Sequence, residues 1–401
     1  MNKIELLAPA GNLEKAKIAL LYGADAVYVG GKKFSLRARA SNFEVEDIEN
    51  LVCFAHELNK KVYVTMNIVP HDDDLEGLDE YLIALENARV DAIITSSITI
   101  MEYAKKVAPN LERHVSTQNS ITNSLAIKFY ENLGCQRVVL AREVTLDEMK
   151  LIKENSNLEL EVFIHGGMCS SYSGRCVLSN HMTRRDANRG GCAHSCRWNY
   201  VLYKGKVKMP PKKMYFNMGS KDLMAIRQIP LMIDLGIASL KIEGRMKSTY
   251  YLATVVRCYR MLIDEYLMNH EISEERFNEF ITEINKAENR LTSTGFLKGK
   301  VTTFEQLYDT REEHPTKEYI GYVLDYDKNT KMALIEQRNY FEVNDTVEFF
   351  GPRLNNIKTV IKKIIDEQTG EEISVARHPL QKLLIELPFE VSPHDMMRKV
   401  K

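Results

Sequence analysis

The chain has 401 residues, 44% hydrophobic and 27% charged, an ordinary globular composition long enough for two or three domains with a buried core. Lys and Arg (54) nearly balance Asp and Glu (55), so the molecule as a whole is no polyanion binder, and any nucleic-acid surface has to be a local patch. No stretch approaches the roughly 18 apolar residues of a membrane-spanning helix. The opening MNKIELLAPAGN reads as a strand and turn broken by Pro9 and Gly11, not as a signal peptide. A cytoplasmic protein with no membrane partner is expected, and in that compartment clustered cysteines are more often metal ligands or catalytic groups than disulfides.

In chain order, β-rich runs at 4–8, 25–30, 61–68, 91–95, 113–117, 137–140, 158–164 and 239–242 predict eight strands. Amphipathic runs at 12–22, 45–58, 75–87, 98–107 and 122–133 predict helices between the earlier ones. Strands separated by helices imply parallel pairing with right-handed crossovers, and a (β/α)8 TIM-like barrel fits the count. A doubly wound sheet is second, because no G-x-G-x-x-G follows the first strand. After the seventh strand the rhythm stops: residues 166–220 form a long insertion that holds four clustered cysteines and the only tryptophan. Residues 247–268 read as the last barrel helix, closing a catalytic domain at 1–270, and Ser273 caps a further helix in a 271–304 linker. From 305 to 401 the pattern is strands without helices, at 319–325, 332–337, 346–350, 357–365, 373–376 and 383–387, with hairpin turns at 327–330 and 367–370. This tail predicts a small C-terminal β-barrel.

Chemistry in such barrels sits at the carboxyl ends of the strands. Here those ends are polar in nearly every case. His165, Glu243 and Arg245, closing the last two strands, are the candidate catalytic groups. Arg37, Arg39, Asn67, Gln118, Arg142 and Lys247 are the candidate substrate-binding groups, a set that suits a small anion held by several cations. Any one of these could be a solvated loop residue.

The segment EVFIHGGMCSSYSGRCVLSNHMTRRDANRGGCAHSCRW carries Cys169, Cys176, Cys192 and Cys196 in the pattern C-x6-C-x15-C-x3-C. Four thiolates are soft ligands and suit either zinc or an iron–sulfur cluster. Structural zinc sites favour pairs spaced C-x2–4-C, which only the second pair here resembles, whereas a cubane cluster tolerates wider gaps. A 4Fe-4S cluster is therefore the expected cofactor, with zinc as runner-up. Cys53, Cys135 and Cys258 stand alone and read as small hydrophobes, and His181 and His194 as solvated or capping histidines.

From Arg175 to Lys213 there are ten Lys or Arg against the single acid Asp186, a local charge of +9. Aromatic residues are interleaved. Cations to follow phosphates beside rings that stack bases are what single-stranded RNA recognition needs. Arg184, Arg185, Arg189, Trp198 and Lys208 are the candidate RNA contacts. The bland alternative is a solvated hairpin, YKGKVKMPPKK.

The run E-x-F-x2-G-G-M-C-x4-G-x-C-x-L-S from Glu161 to Ser179 resembles the signature of the peptidase U32 (collagenase-like) family. LLAPAGN, FSLRARASNF and LKIEGRMKS support it, and the resemblance extends over nearly the whole chain. It implies a 4Fe-4S cluster on the four cysteines and oxygen-independent hydroxylation of RNA bases or of ubiquinone precursors. For a chain of this length and tail it implies formation of 5-hydroxyuridine at the tRNA wobble position with prephenate, a small dicarboxylate. A related U32 subunit is a candidate partner, beside tRNA. The family name also implies a peptidase, but there is no H-E-x-x-H, no G-x-S-x-G and no Cys/His pair apart from the cluster. A non-catalytic RNA-binding scaffold is the third class, and it leaves the cysteines without a role.

Overall fold

The computed structural model describes residues 4–36, 42–209, 216–287, 290–307 and 318–400. Seven parallel strands follow one another: β1 (Glu5–Pro9), β2 (Ala26–Gly30), β3 (Lys61–Met66), β4 (Ala92–Thr95), β5 (Glu112–Val115), β6 (Arg137–Val139) and β7 (Glu159–Gly166). The insertion then contributes the hairpin β8 (Leu202–Lys204) and β9 (Val207–Met209) and the short strand β10 (Asp222–Met224). The eighth barrel strand, β11 (Ser239–Ile242), pairs in parallel with both β7 and β1, with Ser239 opposite Glu161 and Glu5 opposite Ser239. That double pairing closes the expected TIM-like barrel. β10 runs antiparallel along the end of β7 and fastens the return of the insertion to the barrel rim.

The connecting helices are α1 (Leu13–Leu21), α2 (Val45–Glu57), α3 (Leu78–Asn87), α4 (Ile98–Val107), α5 (Ser124–Asn132) and α6 (Leu146–Glu154). Several start where a side chain satisfies an orphan amide: Asn12, Ser97 and Asn123 each accept from the backbone N–H three residues on. Thr145 and Glu148 form a reciprocal capping box on α6, a helix that the apolar pattern alone leaves inconspicuous. α7 (Leu178–Thr183) lies in the insertion, and α8 (Ile229–Asp234) precedes β11. α9 (Thr249–Asn269) and α10 (Glu274–Asn285) follow, the latter capped by Ser273 as expected. No helix among the described residues is long and apolar enough to cross a membrane.

Parallel strands covered on both faces should be apolar throughout, and β2 (AVYVG) is buried at every position. The barrel lumen departs from that rule. Glu5 of β1 reaches Arg137 of β6 (2.6 Å) and accepts from Tyr63 of β3 (2.6 Å), contacts between non-neighbouring strands that can only cross the lumen. Arg137 also pairs with Glu159 (2.7 Å) and Glu161 (3.3 Å), and Glu161 accepts from Lys241 of β11 at 2.6 Å. Buried charges persist only when paired and hydrogen-bonded, and this ring of them meets both conditions.

The tail follows a short β12 (Thr292–Ser293) and holds β13 (Tyr319–Asp327), β14 (Met332–Gln337), β15 (Phe341–Glu342), β16 (Thr346–Phe350), β17 (Ile357–Val360) and β18 (Ile364–Asp366). β19 (Glu372–Ile373), β20 (Val375–Ala376), β21 (Lys382–Glu386) and β22 (Met396–Lys399) complete it. Eight of these make one antiparallel sheet in the order β17-β16-β22-β13-β14-β21-β18-β19, and β15 pairs with β20. The expected strand at 357–365 is two strands, because β17 pairs with β16 while β18 pairs with β21, and buried Ile361 lies at the bend. β22, between β13 and β16, lies beyond the last expected strand, in a short MMRK run that carries little periodicity.

The tail is not loosely tethered. Tyr250 of α9 stacks on Tyr319 with centroids 5.0 Å apart, and Tyr322, Phe350 and Met396 belong to the same core cluster as the barrel. Arg398, 2% exposed, reaches Glu283 of α10 (2.8 Å) and Glu348 of β16 (2.7 Å) and so bridges the two parts. Arg398→Ala leaves two half-neutralised carboxylates in this interface and should cost about 3 kcal/mol. Denaturant unfolding should show the tail transition moved to lower denaturant; an unchanged midpoint would mean that the stacked aromatics alone hold the tail.

Candidate active site

The insertion begins at Gly166, whose φ of +99° is in the left-handed region, and a Cβ there would overlap the backbone carbonyl of Glu243. Close approach of β7 to the β11 end thus requires glycine at this position. Glu243 in turn accepts from the Gly167 N–H (3.2 Å). Each cysteine is then fixed through its backbone or its neighbours. The Ser171 N–H donates to Cys169 Sγ (3.4 Å). Asn188 clamps Cys176 on both sides, accepting from its N–H (3.2 Å) and donating to its carbonyl (3.1 Å). Arg185 donates to the Cys192 carbonyl (3.2 Å) and the Met218 N–H to the Cys196 carbonyl (2.8 Å). Ser173, itself left-handed at φ 50°, is held by the Glu143 carboxylate through its N–H (2.8 Å) and hydroxyl (3.3 Å).

The four thiols are free and line a single cavity of about 380 Å³ at the carboxyl ends of the strands. Cys53, Cys135 and Cys258 lie elsewhere, the last two buried. Among the described residues no three His, Cys, Asp or Glu side chains converge closely enough to hold a single metal ion. The donor set is four sulfurs spread around one space, a soft all-thiol environment. Packing around Cys169 raises its thiol pKa, while the Ser171 amide and the Arg142 guanidinium act to lower it.

Of the residues singled out in the sequence, Asn67, Gln118, Arg142, Glu243, Arg245 and Lys247 join the cysteines on this cavity. Arg142 lies over the Phe163 ring at 3.8 Å. Arg245 is 4% exposed and donates to Ser35 (2.9 Å), Thr65 (3.3 Å) and Asn42 (2.8 Å), and a Cβ at Gly30 would overlap its guanidinium. It is as much a clasp between β11 and the β2 loop as a site group. His165 is not on the cavity: it is fully buried, 3.2 Å from the Tyr259 hydroxyl of α9 and packed against Tyr251. Alternation alone would put Phe163 and His165 on one face, but β7 carries an extra residue between them where its pairing with β11 shifts register, and beyond that bulge His165 packs on Tyr259 while Phe163 lines the cavity. His165 is thus held against Tyr259 and Tyr251 and is not gathered with Glu243 and Arg245 on the cavity lining. Arg37 and Arg39 lie outside the described residues.

The expected RNA contacts divide. Arg184 is exposed, Trp198 is 38% exposed, and Lys208 sits on the β8–β9 hairpin, exposed at every position. Arg185 is committed to the Cys192 carbonyl, and Arg189 pairs with Asp73 (3.1 Å) and Asp74 (2.6 Å) from the loop after β3. Arg189 thus docks that loop onto the insertion, a structural role in place of the expected one.

Several site residues escaped the sequence reading. Asp222 of β10 is fully buried, with Arg197, Lys247 and Arg290 at 3.6, 3.7 and 3.5 Å. Lys241 lines the cavity floor beside Tyr28 and Phe163. A charged residue inside an otherwise apolar strand, as in SLKI, was the available signal.

Two family descriptions match: peptidase family U32 over residues 11–306, and the peptidase family U32 C-terminal domain over residues 315–398. The chain is 48% identical to the tRNA hydroxylation protein P1 of Bacillus subtilis (strain 168), across 100% of this chain and 95% of that protein. It is 39% identical to a 23S rRNA 5-hydroxycytidine synthase of Escherichia coli (strain K12), across 66% of this chain and 40% of that one. It is 31% identical to a collagenase of Porphyromonas gingivalis, across 99% of this chain and 98% of that protein.

Removing Asp222 should loosen the site as a unit. Asp222→Ala removes the carboxylate that Arg197, Lys247 and Arg290 share and is expected to cost about 3 kcal/mol. Hydrogen exchange should accelerate across residues 192–209 and 216–224; protection equal to wild type would show that the insertion is held by its backbone contacts alone.

Proposed function

This chain belongs to peptidase family U32, and we propose that it is an RNA-modifying hydroxylase that acts on tRNA, converting the wobble uridine to 5-hydroxyuridine. The observation that carries the reading is the gathering of four free thiols and a set of cations on one barrel-mouth cavity, in a chain nearly half identical to a tRNA hydroxylation protein. A protein–RNA arm beside it is the exposed, lysine-rich β8–β9 hairpin with Arg184 and Trp198.

In this reading Cys169, Cys176, Cys192 and Cys196 hold a 4Fe-4S cluster. The donor chemistry fits it: all four are free thiols, soft ligands suited to iron–sulfur chemistry, and all four line the same cavity. Such a cluster supplies one-electron redox chemistry at the cavity wall. The rest is done by the protein. Arg142, Arg197 and Lys247 present positive charge to a small dicarboxylate co-substrate such as prephenate, and Asn67 and Gln118 offer hydrogen bonds to a base edge. Tyr28 and Phe163 make an apolar floor that excludes water from the reacting groups. The cavity is too small to take a stacked helix, so the target base has to be turned out of its stack, which costs least in an anticodon loop.

The test is mass spectrometry of tRNA nucleosides from a strain lacking this gene and every paralogue, complemented with wild type or with Cys176→Ser. Wild type should restore 5-hydroxyuridine or its derivatives, and the variant should reduce it at least about a hundredfold, the usual cost of removing a required ligand. Unaltered modification in the null strain, with cleavage of gelatin by the purified protein, would favour the peptidase reading that the collagenase relative brings.

A further inference from the structure

Lys241 is the one lysine of the barrel strands that lines the cavity. It is 4% exposed, with the Tyr28 ring 4.5 Å and the Phe163 ring 5.4 Å from its ammonium. Its carboxylate partner, Glu161 at 2.6 Å on the neighbouring strand β7, is itself fully buried. Glu161 is shared: Arg137 holds its other oxygen at 3.3 Å, so Lys241 receives only part of one negative charge. Arg142, resting on the same Phe163 ring, adds a repulsive positive charge. Burial lowers the Lys241 pKa first, Glu161 opposes this, and Arg137 and Arg142 push it down further, so the amine loses its proton more readily than an exposed lysine. Desolvation and a cationic neighbour are the conditions under which a lysine becomes a nucleophile toward carbonyl carbon. Arg142 on the same wall suits a carboxylate.

We propose that Lys241 is an imine-forming lysine, and that the cavity takes a 2-oxo carboxylic acid whose carbonyl carbon the lysine attacks. Glu161 accepts a proton from the ammonium, and the freed amine forms a bond from Nζ to the carbonyl carbon. The nitrogen, positively charged after the attack, passes one proton to the former carbonyl oxygen, and the hydroxyl so formed takes the second proton back from Glu161 and leaves as water. A protonated imine remains, with no change of oxidation state and no co-reactant. The inference shares the cavity with the hydroxylase reading but requires neither RNA nor the cluster, so the two fail separately.

The experiment uses the purified full chain without RNA, treated with pyruvate and sodium cyanoborohydride and mapped by peptide mass spectrometry. One reduced adduct per chain is expected, on the peptide containing Lys241 and absent when lactate replaces pyruvate. Lys241→Arg, which keeps a cation beside Glu161, should abolish it. Arg142→Ala should slow pyruvate trapping about tenfold more than it slows trapping of uncharged acetone, the worth of one charge-assisted hydrogen bond beyond the shared loss of a charge that helps deprotonate the amine. Because the adduct is mapped on the wild-type chain, the outcome does not depend on how well a variant folds. No adduct at Lys241, or adducts spread over Lys204, Lys206 and Lys208 instead, would overturn the imine. Equal slowing of pyruvate and acetone, or of neither, would overturn the carboxylate part.

Discussion

Asp222 draws cations from three stretches of the chain to one buried point at the mouth of the barrel. A fully buried carboxylate is costly to ionise unless cations surround it, and here three do so from three separate stretches of chain. Arg197 follows the last cysteine of the cluster, Lys247 follows the last barrel strand, and Arg290 leaves the helical linker. Like charges from three segments would not stay together at the mouth of a barrel without this counter-charge. With it, the insertion, the rim and the linker are held in one arrangement, and the cysteines face a cavity already lined with positive charge.

A second constraint lies below it. The lumen of the barrel carries a chain of ion pairs and hydrogen bonds through Glu5, Tyr63, Arg137, Glu161 and Lys241, with exposed Glu159 at its outer end. Breaking one member of such a ring strands its partners, so its geometry is fixed tightly, and that rigidity is passed to Lys241 at the cavity floor. Arg142, over the Phe163 ring, is close enough to act electrostatically on both the Cys169 thiol and the Lys241 ammonium. The site is thus a stack of layers: ionic lumen, aromatic and lysine floor, cationic wall, thiol rim.

Much of this is legible in the sequence because strand and helix periods differ. Runs such as AVYVG and KVYVTM alternate with 3.6-period helices, and both the closed barrel and the helices after each early strand follow from that contrast. The cysteines are legible because thiols clustered in one insertion have few other uses. What the sequence hides is direction. His165 ends a strand next to the cysteines, but a bulge in the pairing of β7 with β11 interrupts the alternation just before it, and it packs against Tyr259. Arg189 lies in a basic run, yet Asp73 and Asp74, more than a hundred residues earlier, neutralise it. Asp222 and Glu161 look like ordinary surface acids until the fold buries them. Pairings between distant segments leave no mark on local composition, which is why Asp222 and Lys241 are not legible in the sequence beside Arg142, Glu243, Arg245 and Lys247.

On this reading the mouth of the barrel is a four-thiol cluster site, formed by Cys169, Cys176, Cys192 and Cys196. The most direct test is anomalous scattering from crystals of anaerobically purified protein, recorded at the iron and zinc edges. Four iron positions within bonding distance of Cys169, Cys176, Cys192 and Cys196, at the thiol side of the cavity, are the predicted result. A single zinc ion on those sulfurs, or disulfides among them with no iron in the cavity, would contradict it.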